Sequence, residues 1–114
     1  MEQSTPPAGA TTVLVVAGAR FNAARRAENE VLHTERDPEV VARLATVLSD
    51  LGDEVFDWME WPRFCLVFLA GDVPLAQFGV LSGATWVRTT ADEDREVLQA
   101  EELGAWLTSA GVAY

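Results

Sequence analysis

FCLVFLAGDVPLAQFGVLSGATWVRTT, residues 64–90, decides the fold. Phe64 to Ala70 is an uninterrupted apolar run, the pattern of a strand buried on both faces. Gly71 and Asp72 supply a turn signal, although two-residue hairpins usually carry the glycine second. Val73 to Leu81 then reads as the returning strand. Pro74 has no N–H to give to a ladder, so this strand either begins there or lies at an edge. Ser82 and Gly83 mark another turn, and ATWVRTT makes a further strand. Strands joined by such short turns form an antiparallel meander.

Toward the N-terminus, TVLVVAG (12–18) is a second apolar, β-branched run ending in glycine, and it predicts a strand. Residues 1–11 hold Pro6, Pro7 and Gly9 without apolar periodicity and read as a flexible tail, leaving 12–114 as a single domain. ARFNAARRAENE (19–30) would bury only Phe21, Ala24 and Ala27 as a helix, so it reads as a loop with a short helical turn. EVLHTE (30–35) is a candidate strand antiparallel to the first.

Two helices complete the pattern. In DPEVVARLATVLSDLG (37–52), Asp37 is placed to cap the free N–H groups and Pro38 stands at the first helical position. Val40, Leu44, Val47, Leu48 and Leu51 form the apolar stripe, and Gly52 is the expected left-handed stop. In AEELGAWLTSAG (100–111), Leu103, Trp106, Leu107 and Ala110 recur at helical spacing and Gly111 ends the helix. Gly104 should weaken this helix by roughly 1 kcal/mol relative to alanine. ADEDRE (91–96) reads as a solvated acidic connector or a frayed helix start. The order is β-β-α-β-β-β-α, an α+β fold in which an antiparallel meander of about five strands packs on two helices.

Composition narrows the function classes. The chain has 114 residues, enough for one core without metal or disulfide support. Its single cysteine, Cys65, rules out an internal disulfide. Every basic residue is arginine, and lysine and isoleucine are absent, as a GC-rich and therefore bacterial coding sequence would produce. Net charge is −10, with −1 carried by residues 1–48 and −9 by residues 49–114. Such a surface repels nucleic acid and anionic membranes and suits a basic protein partner. No signal-like segment opens the chain, so the expected location is the cytoplasm.

Catalytic and cofactor signatures fail in turn. His33 and Cys65 fall on different expected strands, and no metal or cofactor set emerges from them. A phosphate-binding loop needs a Gly-Lys pair, and VAGAR (16–20) has one glycine where a dinucleotide fingerprint needs three. Asp53, Glu54, Asp57 and Glu60 form one acidic group, and Asp92, Glu93, Asp94 and Glu96 another. Both read as solvated loops, although a carboxylate beside tryptophan would have its pKa raised if buried. Arg20, Arg25 and Arg26 form a basic cluster suited to internal pairing with nearby acids.

The remaining feature is FDWMEWPRF, residues 56–64. Its rings fit neither a period of two nor one of 3.6, so it reads as an irregular linker, and Pro62 keeps a helix from running into the strand. Burying one of its rings in the core would contribute roughly 1.5–3 kcal/mol, so packing alone would account for the segment. Exposed, it would make a recognition patch of Trp58, Trp61 and Arg63 with Asp57 and Glu60 beside them. The sequence thus points first to a small acidic, non-catalytic interaction or regulatory module, immunity- or antitoxin-like, facing a basic partner. A small-molecule binder with an aromatic-lined pocket is the alternative, and a carboxylate enzyme the third reading.

Overall fold

The structure, a computed structural model, describes residues 9–56 and 59–114, apart from the side chains at 23, 26 and 27. It is an α+β fold in which one antiparallel sheet of seven strands carries two helices. The strands are β1 (Thr12–Ala17), β2 (Val31–Glu35), β3 (Leu51–Val55), β4 (Phe64–Ala70), β5 (Val73–Leu81), β6 (Trp86–Arg88) and β7 (Asp94–Val97). The helices are α1 (Pro38–Val47) and α2 (Ala100–Ser109). Across the sheet the order is β2-β1-β4-β5-β6-β7-β3.

The expected meander is present as β4, β5 and β6, and β7 extends it. Gly71 makes the first turn with φ +62°. Pro74 pairs with Leu69 of β4, while β6 reaches along β5 only from Gly79 to Leu81. The proline therefore sits where β5 has no β6 partner, as its missing N–H requires.

β4 is buried from Phe64 to Leu69, and its alternating side chains feed two cores. Phe64, Leu66 and Phe68 join Val13 and Val15 of β1 and Phe78 and Val80 of β5 beneath the helices. α1 contributes Val41, Leu44 and Val47, and α2 contributes Leu103 and Leu107. The rings of Phe68 and Phe78 meet edge-on at 5.7 Å. On the opposite face Cys65, Val67 and Leu69 pack with Leu14 and Val16 against Phe21. Phe21 comes from the connection between β1 and β2, which holds a 3-10 turn (Ala23–Glu28) broken at Arg25, the loop with a helical turn that its composition implies.

Seven strands replace the expected five, and both additions were hidden by chemistry. Leu51 continues the α1 stripe in spacing, yet the helix stops at Val47 and its end tightens through Ser49 N–H to Thr46 O and Asp50 N–H to Val47 O. Gly52 is thus no helix stop; it lies in β3, where a Cβ would stand 3.3 Å from that of Glu96. ADEDRE is no loose connector either: its second half is β7, paired to β6 and β3. The other helix signals read correctly. Asp37 accepts from Glu39 N–H at 3.0 Å, and Gly111, with φ +78°, follows α2.

Most of the tail expected over 1–11 falls outside the described residues. Thr11 is held, its N–H donating to Leu69 O at 2.8 Å and its hydroxyl accepting from Gly71 N–H at 3.0 Å. No helix among the described residues is long and apolar enough to cross a membrane.

Candidate interaction surface

The described residues of the linker between β3 and β4 are fixed onto the sheet from below. Phe56 N–H extends the ladder to Asp94 O at 3.1 Å, and its ring lies 6.0 Å from Trp86. Pro62 is buried with its ring on Gly79; a Cβ on that glycine would stand 2.6 Å from Pro62 Cγ. Arg63 O accepts from Gly18 N–H at 2.7 Å. Glu60 accepts from Ser82 N–H at 3.2 Å, steadying a turn in which Ser82, Gly83 and Ala84 all have positive φ.

Among the described residues this anchoring leaves Met59 and Trp61 the most exposed large apolar side chains of the linker. Met59 is 96% exposed and Trp61 78% exposed. Trp61 does not drop into the core as the packing interpretation required; Pro62 takes the buried place. Arg63 and Glu60 are exposed at the same end of the sheet. Asp57 and Trp58 lie outside the described residues; of the other three candidates, Glu60 and Arg63 line one hollow with Ser82, and Trp61 lines another with Gln77 and Asp92. Missed in the sequence was Met59, whose neighbours drew attention to the rings alone.

Beside the linker, the helix-free face of the sheet is polar and tightly paired. Arg88 of β6 donates twice to Asp94 of β7, at 2.7 and 2.9 Å, and the Asp94 side chain is 4% exposed. On the other face, in register with Val87, Arg95 binds Glu93 at 2.7 Å and the carbonyls of Gly52 and Asp53. Arg20 reaches Asp92 at 2.6 Å. Three of the four acids in the run 92–96 are thus committed to arginines. Gln77 organises the surroundings: its side chain accepts from Phe21 N–H, and its backbone bonds in both directions to the Thr90 hydroxyl. The cleft between Trp61, Gln77, Arg88 and Asp92 encloses about 20 Å³, room for about one water.

Four further acids of the C-terminal half stand at or beside the β3 edge. Asp53 and Glu54 are exposed on β3, with Asp50 before it and Glu96 exposed on neighbouring β7. β3 leads into the aromatic linker. Arg25 pairs with Glu28 at 3.6 Å; the Arg26 side chain is outside the described residues.

His33 and Cys65 stand on opposite faces of the sheet. His33 pairs in register with Val15, whose side chain faces the helices, whereas Cys65 pairs with Val16 of the other core. Burial pushes the Cys65 thiol up to about 11. His33 packs edge-on against Trp106 at 5.7 Å, with Nε2 3.8 Å from Glu35. The Trp106 indole N–H donates to Glu35 at 3.0 Å, and that bond is the main reason its carboxyl lies below the usual range. Among the described residues no three His, Cys, Asp or Glu side chains converge as a metal site.

Other hollows lie on the helix side. A groove of about 660 Å³ runs along α1 past Ala10, Val41, Ala45 and Ser49. Another of about 280 Å³ separates the helices, between Arg43 and Glu102. Compared with protein-family models, with curated proteins and with solved structures, the chain matches none.

Proposed function

We propose that this protein is a non-catalytic interaction module that docks a basic protein partner through the linker Met59–Arg63 and the acidic β3 edge. The observation that carries this reading is the pairing of exposure with fixation. Trp61 stands 78% exposed next to a proline that is locked on Gly79. A large ring held out on a rigid support loses little freedom on binding, the economy that gives tryptophan its weight in interfaces. Asp53 and Glu54, on the strand that leads into the linker, would steer a basic surface toward this side of the protein.

The cleft beside Trp61, at about 20 Å³, is far below the several hundred Å³ of a small-molecule site, so at this linker the geometry favours docking over a ligand pocket. Selection of a random peptide library on the whole chain tests it. Enriched peptides should be rich in arginine and lysine, bind more weakly as salt rises, and lose affinity at least about tenfold with Trp61→Ala at unchanged Tm. Peptides that bind Trp61→Ala as well as the native protein, or that show no preference for basic residues, would overturn the reading.

A further inference from the structure

We propose that Asp92, beside Trp61, takes one arginine side chain of that basic partner in the place that Arg20 fills in the unbound protein. The inference rests on the docking reading and adds to it the chemistry of the central contact. Trp61, Gln77 and Asp92 line one cleft with Arg20. Asp92 is half-exposed and points from a tight turn: its N–H donates to Thr89 O at 2.8 Å, and its φ is +63°. Asparagine and aspartate tolerate that backbone region best among non-glycine residues, so the turn fixes the backbone from which the carboxylate projects. Neighbouring Asp94 is already saturated by two bonds from Arg88 and lies buried. Asp92 is therefore the accessible acid of this cleft.

A guanidinium on Asp92 is compatible with the site, because the chain supplies one itself. Arg20 Nη2 meets Asp92 Oδ1 at 2.6 Å, with both side chains more than half exposed. A pair exposed to that degree contributes little to stability, since both groups were well hydrated and the long side chain loses freedom. An incoming arginine would make at the carboxylate the bond that Arg20 gives up, and contact with Trp61 would offset its cost of association. Arginine suits the slot better than lysine because its planar group stacks on tryptophan while its fork grips a carboxylate. Arg20 then acts as an internal competitor that sets how readily the surface opens to basic partners.

Titration of the full chain with N-acetyl-arginine amide, followed by the Trp61 indole and Asp92 amide resonances, tests this without any partner. The Trp61 signal is assigned from Trp61→Phe. Arg20→Ala should bind the amide roughly fivefold more tightly than the native chain, and adding Asp92→Asn should reverse the gain. Arg43→Ala, which removes the same charge from α1, should leave affinity at the native level, and N-acetyl-glutamine amide should not bind. Equal affinity of native and Arg20→Ala proteins, equal gains from Arg20→Ala and Arg43→Ala, or shifts that spare both resonances would overturn the proposal. Selected peptides that need Trp61 but ignore Arg20 and Asp92 would remove the slot and leave the docking surface. An amide that binds as expected, with no peptide needing Trp61, would do the reverse.

Discussion

Pro62 lies over Gly79 so closely that a single methyl group on the glycine would come within 2.6 Å of the Pro62 ring. The contact joins the linker to the centre of the sheet, since Gly79 pairs with Cys65 on one side and Arg88 on the other. A proline ring cannot swing aside as a flexible side chain would. Gly79→Ala should therefore destabilise by about 1–3 kcal/mol, the usual cost of overpacking. Pro62→Ala made together with it should cost less than the sum of the two single changes, because the clash disappears with the ring. Denaturant midpoints of the four proteins would measure the coupling.

Gly104 has a different neighbour and the opposite expected sign. A Cβ there would meet the Tyr114 hydroxyl at 2.8 Å, but that oxygen is the far end of a half-exposed side chain near the end of the chain. The ring can turn away, giving up its 3.3 Å contact with Thr108. Gly104→Ala should then raise stability by up to about 1 kcal/mol through helix propensity. A fall in Tm would mean that Tyr114 is held more firmly than its exposure implies.

Asp94 and Arg88 form the most buried ion pair among the described residues. Asp94→Ala should cost about 3 kcal/mol, the lower end for breaking a buried pair, because Arg88 keeps some access to water. Replacing Asp92 by asparagine, on an exposed pair, should change stability by less than about 1 kcal/mol. Thermal melts of the two variants side by side would show the contrast.

Glu35 makes stability depend on acid. Its carboxyl titrates below the usual range in the folded protein, chiefly through the Trp106 indole bond. The resulting stabilisation is present above the unfolded pKa near 4.5 and is lost as pH falls through the lower folded value. Glu35→Gln should therefore weaken the protein most at pH 7, and the gap to the native chain should close below about pH 4. Urea midpoints at pH 7 and pH 3 would give the difference.

Cys65 should be inert toward thiol reagents in the folded state. Its side chain is fully buried and its pKa raised to about 11, so thiolate is scarce at pH 8. Labelling by a chromogenic disulfide reagent should follow the rate of unfolding, and urea should accelerate it. Immediate labelling of native protein would contradict that burial.

The sequence was most informative where residues announce backbone geometry or continuous burial. The apolar run of β4, the Asp37-Pro38 start of α1 and Gly111 after α2 each fix a local conformation by themselves. β7 stayed hidden because Asp94 and Arg95 turn their charges onto partners in the sheet, so a paired strand looks like a solvated loop. The alternation of Asp94 and Glu96 with Arg95 and Val97 was its one visible signal. β3 was hidden because Leu51 matches the helical repeat and only tertiary pairing with Val97 takes it away. Trp61 posed the hardest case. Nothing local says that Pro62, and not the indole beside it, will fill the space above Gly79.

Chain connectivity carries a last consequence. α1 follows β2 at one margin of the sheet and leads into β3 at the other, so β3 can settle only after β4 to β7 have assembled between them. The strand that presents Asp53 and Glu54 should accordingly form late, and its amide protons should exchange with deuterium well before those of β1 and β4. Local opening at that margin would then change the reach of the aromatic linker while the remainder of the sheet stays closed.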